Sequence, residues 1–442
     1  MSRAQTGLGL ALLAHLVLGL VAIRHHFFWG AERELLGQPL FVWLNGAECA
    51  GLLLFTALGA LGWQRLVQAA PTIAERTLVL WGIGLALAAF AVPPVFSTDV
   101  FDYLARGHLA VHLGHNPYTT PPGTVPQDAI LAMADWPHYV CVYGPIAALA
   151  SCASAALGGS SAWLGAYVFK LLTAAAHVGA GVLVARAAGE ANRRTVLALW
   201  LFHPFLALES CGSGHNDALM ALALAWMVER LARDRWGLAT FAFGLAVLTK
   251  HGCAPLGPIL LCAAIRSGRL RPFLTGCGAT LVLTAGLALV FWREPGSLGF
   301  LGQQAANQGA SLIAFGTLAF GAGATDTLHV LGLGVALAAI TFACVRVRDA
   351  RSFATEGAWA LGVFLMTAMA LFSPWYHLWW VPLIGLAPRT GSAVTALRVL
   401  AWAGPLAYVV YAGTRSLDLP HQVWTWGVAG ALPTVWLLRR KA

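Results

Sequence analysis

Asp99 and Asp102 stand three residues apart in Ser97-Thr98-Asp99-Val100-Phe101-Asp102-Tyr103, and Arg106, His108, His112 and His115 follow within the same polar interval. Carboxylates spaced i, i+3 share one face of a helix. A carboxylate partly desolvated at a membrane–water boundary can take a proton from a hydroxyl as a general base. The same residues have a structural use. An acidic side chain after Ser97-Thr98 satisfies the free N–H groups of an amphipathic helix over 100–113. Spacing alone leaves both uses open for Asp99, and Asp102 could equally face water.

Other polar clusters interrupt the apolar chain, and each has two readings. Glu209-Ser-Cys-Gly-Ser-Gly-His215-Asn216-Asp217 directly precedes an apolar segment. A glycine-rich turn with Asn or Asp caps a helix there, and its exposed N–H groups also attract phosphate, with His215 as a donor. Lys250 ends an apolar segment, where it either snorkels or pairs with a phosphate. Arg293, next to Glu294, invites the same argument with less force. Ser373-Pro374-Trp375-Tyr376-His377 suits an interfacial aromatic belt or, through Trp375 or Tyr376, a platform for the apolar face of a sugar. His203-Pro204 lies in an apolar segment that Pro204 should kink, with His203 read as a hydrogen-bonded core residue. No P-loop, GxSxG, HExxH or CxxC occurs, which disfavours nucleotide hydrolysis, serine-hydrolase and zinc-protease chemistry.

The elements that must hold these groups follow from composition. Hydrophobic residues make up 59% of the 442 and charged ones 10%, against roughly 25% charged in a soluble domain. That excludes a soluble enzyme and predicts an all-α polytopic membrane bundle, a single unit over 1–442. The 18 Trp suit interfacial belts. The eight Cys sit mostly in apolar segments and read as packing residues, not as a disulfide or metal framework. Arg3 and the apolar run 7–23 resemble a signal peptide but lack a small-x-small cleavage site, so a retained first helix is expected.

A span needs about 20 apolar residues. Segments near 7–23, 39–61, 77–96, 195–210, 217–229, 236–249, 253–265, 272–292, 327–345, 357–373, 375–388, 392–413 and 421–438 qualify or nearly do, with two further candidates near 139–158 and 163–185. The expectation is about 12 to 14 membrane helices, with 311–325 a short helix outside. Most of the 27 Lys and Arg then fall on one side, in clusters such as Arg230/Arg233/Arg235, Arg266/Arg269/Arg271 and Arg439/Arg440/Lys441. That side is cytoplasmic, so the loop at about 97–138 and every polar cluster above face outward. The net charge of +9 is accounted for by this asymmetry and calls for no nucleic-acid partner.

Several stretches occur in a telling order: Ser-x-Asp-Val-x-x-Tyr-x-x-x-Gly (97–107), Asn-Pro-Tyr (116–118), Tyr-Gly-Pro (143–145), His-Pro-Phe-x-x-x-Glu (203–209), Gly-x-Gly-His-Asn-Asp-Ala-Leu-Met (212–220), Lys250 and Ser-Pro-Trp-Tyr-x-x-Trp (373–379). Over about 77–390 this resembles the polyprenol-phosphate-mannose-dependent α-1,6-mannosyltransferases of the membrane glycosyltransferase superfamily GT-C. His203 departs from the Asn usual there before Pro, and the residues after Lys250 match loosely. The resemblance implies a GT-C fold whose outer loop supplies the catalytic base, Asp99. It implies inverting transfer of a hexose, mannose by the family, from a polyprenyl-phosphate sugar to a membrane or cell-envelope glycan. The expected substrate-binding residues are Asp102, Tyr103, Arg106, Tyr143, His215, Asn216, Asp217, Lys250, Arg293, Trp375 and Tyr376. No protein metal site is expected, although some relatives use a divalent cation. The expected location is the cytoplasmic membrane, with the site facing the outside or periplasm. Two other functions fit a charged helical bundle. A secondary transporter would show internal repeats and mid-membrane polar breaks. A haem-handling assembly protein would pair outer His residues such as His251, His377 and His421 with a Trp-rich loop.

Overall fold

The computed structural model describes residues 2–28, 39–94, 96–299, 302, 309–387, 391–414, 416 and 418–439. Arg440 and Lys441, and most of 300–307 in the stretch that follows Arg293, lie outside them.

The protein is an all-α polytopic membrane bundle. Among the described residues the extended elements are helical, and the one strand-like contact is a bridge between Gly309 and Leu371. Among the described residues six helical segments are long and apolar enough to span: Arg3–Ile23, Asn45–Thr72, Ala162–Ala187, Leu270–Phe291, Ala322–Arg346 and Ser392–Thr414. A bent pair, Arg193–Leu201 with Pro204–Gly212, makes a seventh. This is fewer than the 12 to 14 read from the sequence. Pro145–Gly158, Trp236–Thr249 and Leu256–Arg266 are apolar but fall short of the length that a bilayer core requires.

Over 375–387, the described part of the expected span at 375–388, no spanning helix forms. Two short tight turns, Pro374–Trp379 and Val381–Gly385, run there instead, with Trp379 and Trp380 buried in the bundle. Prolines near the start of each turn remove backbone donors, and irregular backbone at this depth is tolerated because protein surrounds it. The candidate at 163–185 is a full span, Ala162–Ala187, whereas that at 139–158 is the short helix Pro145–Gly158. The segment expected outside at 311–325 forms the helix Leu312–Phe320, capped by the Ser311 side chain, and a short turn.

Two kinds of helix surface divide the bundle. Leu270–Phe291 and Ala322–Arg346 leave Leu281, Val282, Leu289, Val330 and Leu331 exposed. Apolar faces of that kind belong against lipid. Ala162–Ala187 instead turns Gly165, Ala166, Ala174, Ala180 and Gly181 inward, and small residues let neighbouring backbones approach closely. This inner helix carries the elements that build the site.

The bend before Pro204 is the local event that shapes that site. Pro204 cannot continue the ladder of the preceding helix. His203 adopts an extended backbone, and its Nδ1 accepts the Leu206 N–H at 3.3 Å while Nε2 lies 3.0 Å from the Leu397 carbonyl. The residue that departs from the family pattern is thus a helix cap tied to the core. The chain then widens into a π turn, Leu208–Gly212, which is a feature often found at functional sites.

Candidate active site

Asp99 opens the helix Asp99–Val111, but its carboxylate does not cap it. Thr98 occupies the N-cap position without a side-chain cap bond. Instead Asp99 Oδ2 accepts the Tyr103 hydroxyl at 3.3 Å and lies 3.5 Å from His215 Nδ1. The Asp99 side chain keeps 17% of its surface exposed, whereas His215 is fully buried. Burial opposes the charge on Asp99. The neighbouring His215, with Lys250 and Tyr103 adding to it, nevertheless holds its carboxyl below the ordinary value.

Asp102, one turn on, has a different setting. It is 1% exposed, pairs with Arg106 Nη1 at 2.9 Å and accepts the Trp136 N–H at 3.2 Å. Arg106 Nη2 reaches the carbonyls of Trp136 and Tyr139 at 3.4 and 3.2 Å. Burial raises the Asp102 carboxyl against the pull of Arg106. These two residues, expected to bind substrate, form an internal brace that fastens the outer loop to its helix.

His215 is delivered by the turn after the π segment. Gly214 has φ +75, and a Cβ on it would come within 2.8 Å of Lys170 Cγ, so only glycine fits there without a shift. His215 Nε2 lies 3.2 Å from Glu209 Oε2, and the Trp375 ring stacks on the imidazole at 3.8 Å between centroids. Burial alone would favour the neutral ring, yet Asp99 and Glu209 together raise His215 to about 9. Asn216 beside it occupies the N-cap of Asp217–Ala232 without using its side chain. Both its amide atoms are buried with no hydrogen-bond partner among the described residues.

The second cation sits close by. Lys250 Nζ donates to Asp217 Oδ2 at 2.8 Å, and Trp379 Nε1–H donates to Asp217 Oδ1 at 2.6 Å. The rings of Tyr376, Tyr143 and Trp379 surround the ammonium at 4.8, 5.5 and 5.8 Å. Burial opposes the charge, but Asp217 chiefly outweighs it and Lys250 is raised. Lys250 is 4% exposed, so it does not snorkel. Tyr143 reaches the cage because Gly144 lies on the end of the helix Trp236–Thr249. Its N–H donates to Thr249 O at 3.0 Å, and a Cβ there would meet Leu248 O at 2.0 Å.

Ten of the eleven expected substrate-binding residues therefore gather around Asp99, in the open part or in its supporting wall. Arg293 does not. It is exposed just beyond Leu270–Phe291, and no described ion pair connects it to the cluster. Its neighbour Glu294 accepts the Thr119 hydroxyl at 2.8 Å, so that corner anchors the outer loop. Tyr376 stacks on Trp379 and covers Lys250, which leaves half-buried Trp375 the more accessible aromatic. His377 has Trp380 Nε1–H on Nδ1 and the Ala429 carbonyl at Nε2, an internal pairing that does not suit an axial haem ligand. Among the described residues no group of three or more His, Cys, Asp or Glu could hold a metal ion. The eight Cys form no disulfide among the described residues.

A family description, "Alpha-(1->6)-mannopyranosyltransferase, N-terminal domain", matches residues 8–266. That stretch carries Asp99, His215 and Lys250.

The chain belongs to this mannopyranosyltransferase family.

It is 26% identical over 399 residues to a Mycolicibacterium smegmatis protein named "Probable alpha-(1->6)-mannopyranosyltransferase", covering 75% of this chain and 69% of the relative. It is 25% identical over 468 residues to alpha-(1->6)-mannopyranosyltransferase A of Mycobacterium tuberculosis, covering 95% of this chain and 86% of that one. No solved structure matches. With the family in hand, the residues assigned no role from sequence are Glu209, Trp379, Tyr408 and Trp136, although Glu209 and Trp379 stand within the quoted motifs. Glu209 carried a signal, because an acid at the end of an apolar segment is costly and asks for a reason. The other three are aromatics, indistinguishable in sequence from packing residues.

Proposed function

We propose that this mannopyranosyltransferase-family member is an inverting mannosyltransferase. It takes mannose from a polyprenyl-phosphate donor and delivers it to a hydroxyl of a membrane or cell-envelope glycan. The observation that carries the reading is the position of Asp99, a carboxylate that keeps open surface while the His215 ring and the Tyr103 hydroxyl flank its Oδ2. Asp99 takes the acceptor's proton as that oxygen bonds to the anomeric carbon. The bond from that carbon to the phosphate oxygen breaks, and the polyprenyl phosphate leaves with its electron pair. Attack opposite the leaving group inverts the anomeric configuration.

The negative charge that develops on the phosphate is favoured by Lys250, by His215 and by the start of the helix Asp217–Ala232. A lipid-linked donor also accounts for a polar centre in a bundle with exposed apolar flanks, since the donor arrives from the bilayer. The test is a reconstituted assay with polyprenyl-phosphate sugars and mannoside acceptors, comparing the parent with Asp99→Asn. Inactivity towards every polyprenyl-phosphate sugar would sink the donor; an unchanged Asp99→Asn would sink the base.

The reading also places the site on the outer side of the cytoplasmic membrane, from the distribution of basic loops. Gln127 is exposed on the loop in question. Gln127→Cys should react with an impermeant thiol reagent in intact cells, and protection of that position would reverse the orientation.

A further inference from the structure

Glu209 is a carboxylate with no exposed surface, on a π turn of an otherwise apolar segment. Burying such a group is expensive unless its partners compensate. Two do. Its Oε1 accepts the Tyr408 hydroxyl at 2.6 Å, and its Oε2 stands 3.2 Å from His215 Nε2. The backbone holds the same pair, with the His215 N–H donating to the Glu209 carbonyl at 3.1 Å. His215 is therefore gripped from one side by Glu209 and from the other by Asp99. A single row runs Tyr408, Glu209, His215, Asp99, Tyr103, and only Asp99 within it keeps appreciable open surface.

We propose that Glu209, oriented by Tyr408, is a positioning residue that acts through His215 to keep the ring protonated and Asp99 the only proton acceptor at the reacting hydroxyl. This rests on Asp99 being the base. A neutral imidazole in this place would compete for the acceptor's proton. It would also leave Asp99 without the positive neighbour that keeps it charged beside an anionic leaving group. A charged ring cannot accept a proton, so the proton goes to Asp99 alone and then to solvent. The wide turn serves this arrangement, because it lets Glu209 and His215 face each other on a chain that bends back on itself. A carboxylate placed there for stability alone would need a cation of its own, and among the described residues the group at ion-pair distance from Glu209 is His215.

Other charged or titratable groups surround the ring. Asp99 and Tyr103 come from the outer helix, with Asp102 a turn further on. Asp217 lies on the following helix, Lys250 at the end of Trp236–Thr249, and Tyr376 next to the stacked Trp375. Of these, Asp99 is the one at ion-pair distance from His215 besides Glu209. His215 stands at about 9 with both carboxylates beside it.

The experiment is the pH dependence of kcat/KM, with polyprenyl-phosphate mannose as donor and a synthetic mannoside as acceptor. Parent activity should fall on the alkaline side as His215 loses its proton. Glu209→Gln removes one anion from the ring and should move that limb to lower pH by roughly one unit or more, while Glu209→Asp should restore part of the shift. Tyr408→Phe keeps the charge and loosens its orientation, so a smaller shift in the same direction is expected. This variant decides the matter if Glu209→Gln does not fold. An alkaline limb that does not move in the folded variants overturns the role of Glu209, even where their overall rate falls. That failure is separate from failure of the base assignment. Full activity of Asp99→Asn would overturn the base, whereas an inactive Asp99→Asn with an unmoved limb would overturn Glu209 alone.

Discussion

Asp99 and Asp102 sit one helical turn apart on the same face, yet they have opposite environments. Asp102 has its counter-ion built in locally, Arg106 at i+4, and the pair is closed off by the backbone of Trp136 and Tyr139. Asp99 has a histidine from a distant segment as its counter-ion, shared with Glu209, and it keeps an open edge. The local pair is closed off from solvent and fastens the loop. The long-range pair is assembled only when the bundle closes, and it leaves one carboxylate edge unoccupied by protein. A carboxylate whose charge is balanced from one side and open on the other can take a proton from a substrate hydroxyl, and a fully enclosed one cannot reach that hydroxyl.

The largest expected effect separates the two directly. Asp99→Asn should lower kcat by ~10²–10⁴-fold while costing less stability than loss of the Asp102–Arg106 pair, because no cap is lost and His215 keeps Glu209 beside it. Asp102→Asn, measured per folded molecule, should retain more of the rate. The reverse outcome would exchange their roles. Stability should show the opposite ranking. Asp102→Ala leaves Arg106 buried without its carboxylate, and breaking a buried pair costs about 3–5 kcal/mol. Unfolding in detergent should therefore shift far more for Asp102→Ala than for Asp99→Asn, and equal shifts would remove the distinction between brace and base.

The smallest effect lies in the pH dependence of stability. His215 is raised to about 9 in the folded protein from an ordinary 6.5. A raised value means that the folded state binds the proton more tightly. Its stabilisation is thus fully present below about 6.5 and is lost as pH rises through about 9. The parent should lose thermal stability across that interval, and His215→Gln should show a flatter profile there. An identical slope in both would detach His215 from the two carboxylates.

How much of this was legible before folding differs from residue to residue. The Asp102–Arg106 spacing was present as an i, i+4 pattern, but nothing local told whether water or Trp136 would meet it. The amphipathic helix predicted at 100–113 forms at Asp99–Val111, since its periodicity is a local property. The kink at His203-Pro204 was readable for the same reason. The count of spans was not, because apolar composition marks a segment as buried without saying whether lipid or protein buries it. Residues 375–388 have the composition of a span, and 375–387 have the role of an inner wall. Arg293 was grouped with the site on topology alone, and topology fixes a side of the membrane, not a distance.

The sequence by itself determined the class of protein, through an excess of apolar residues that no soluble chain could hide. It also determined the family, through motifs whose order survives without any knowledge of contacts. Only the tertiary structure decided which carboxylate is braced and which is open, that Lys250 is already paired with Asp217, and that Glu209 stands behind His215. The physical reason is range. Helix formation and membrane insertion depend on neighbours a few residues away. The charge state and exposure of a buried group are set by whichever distant segments pack against it.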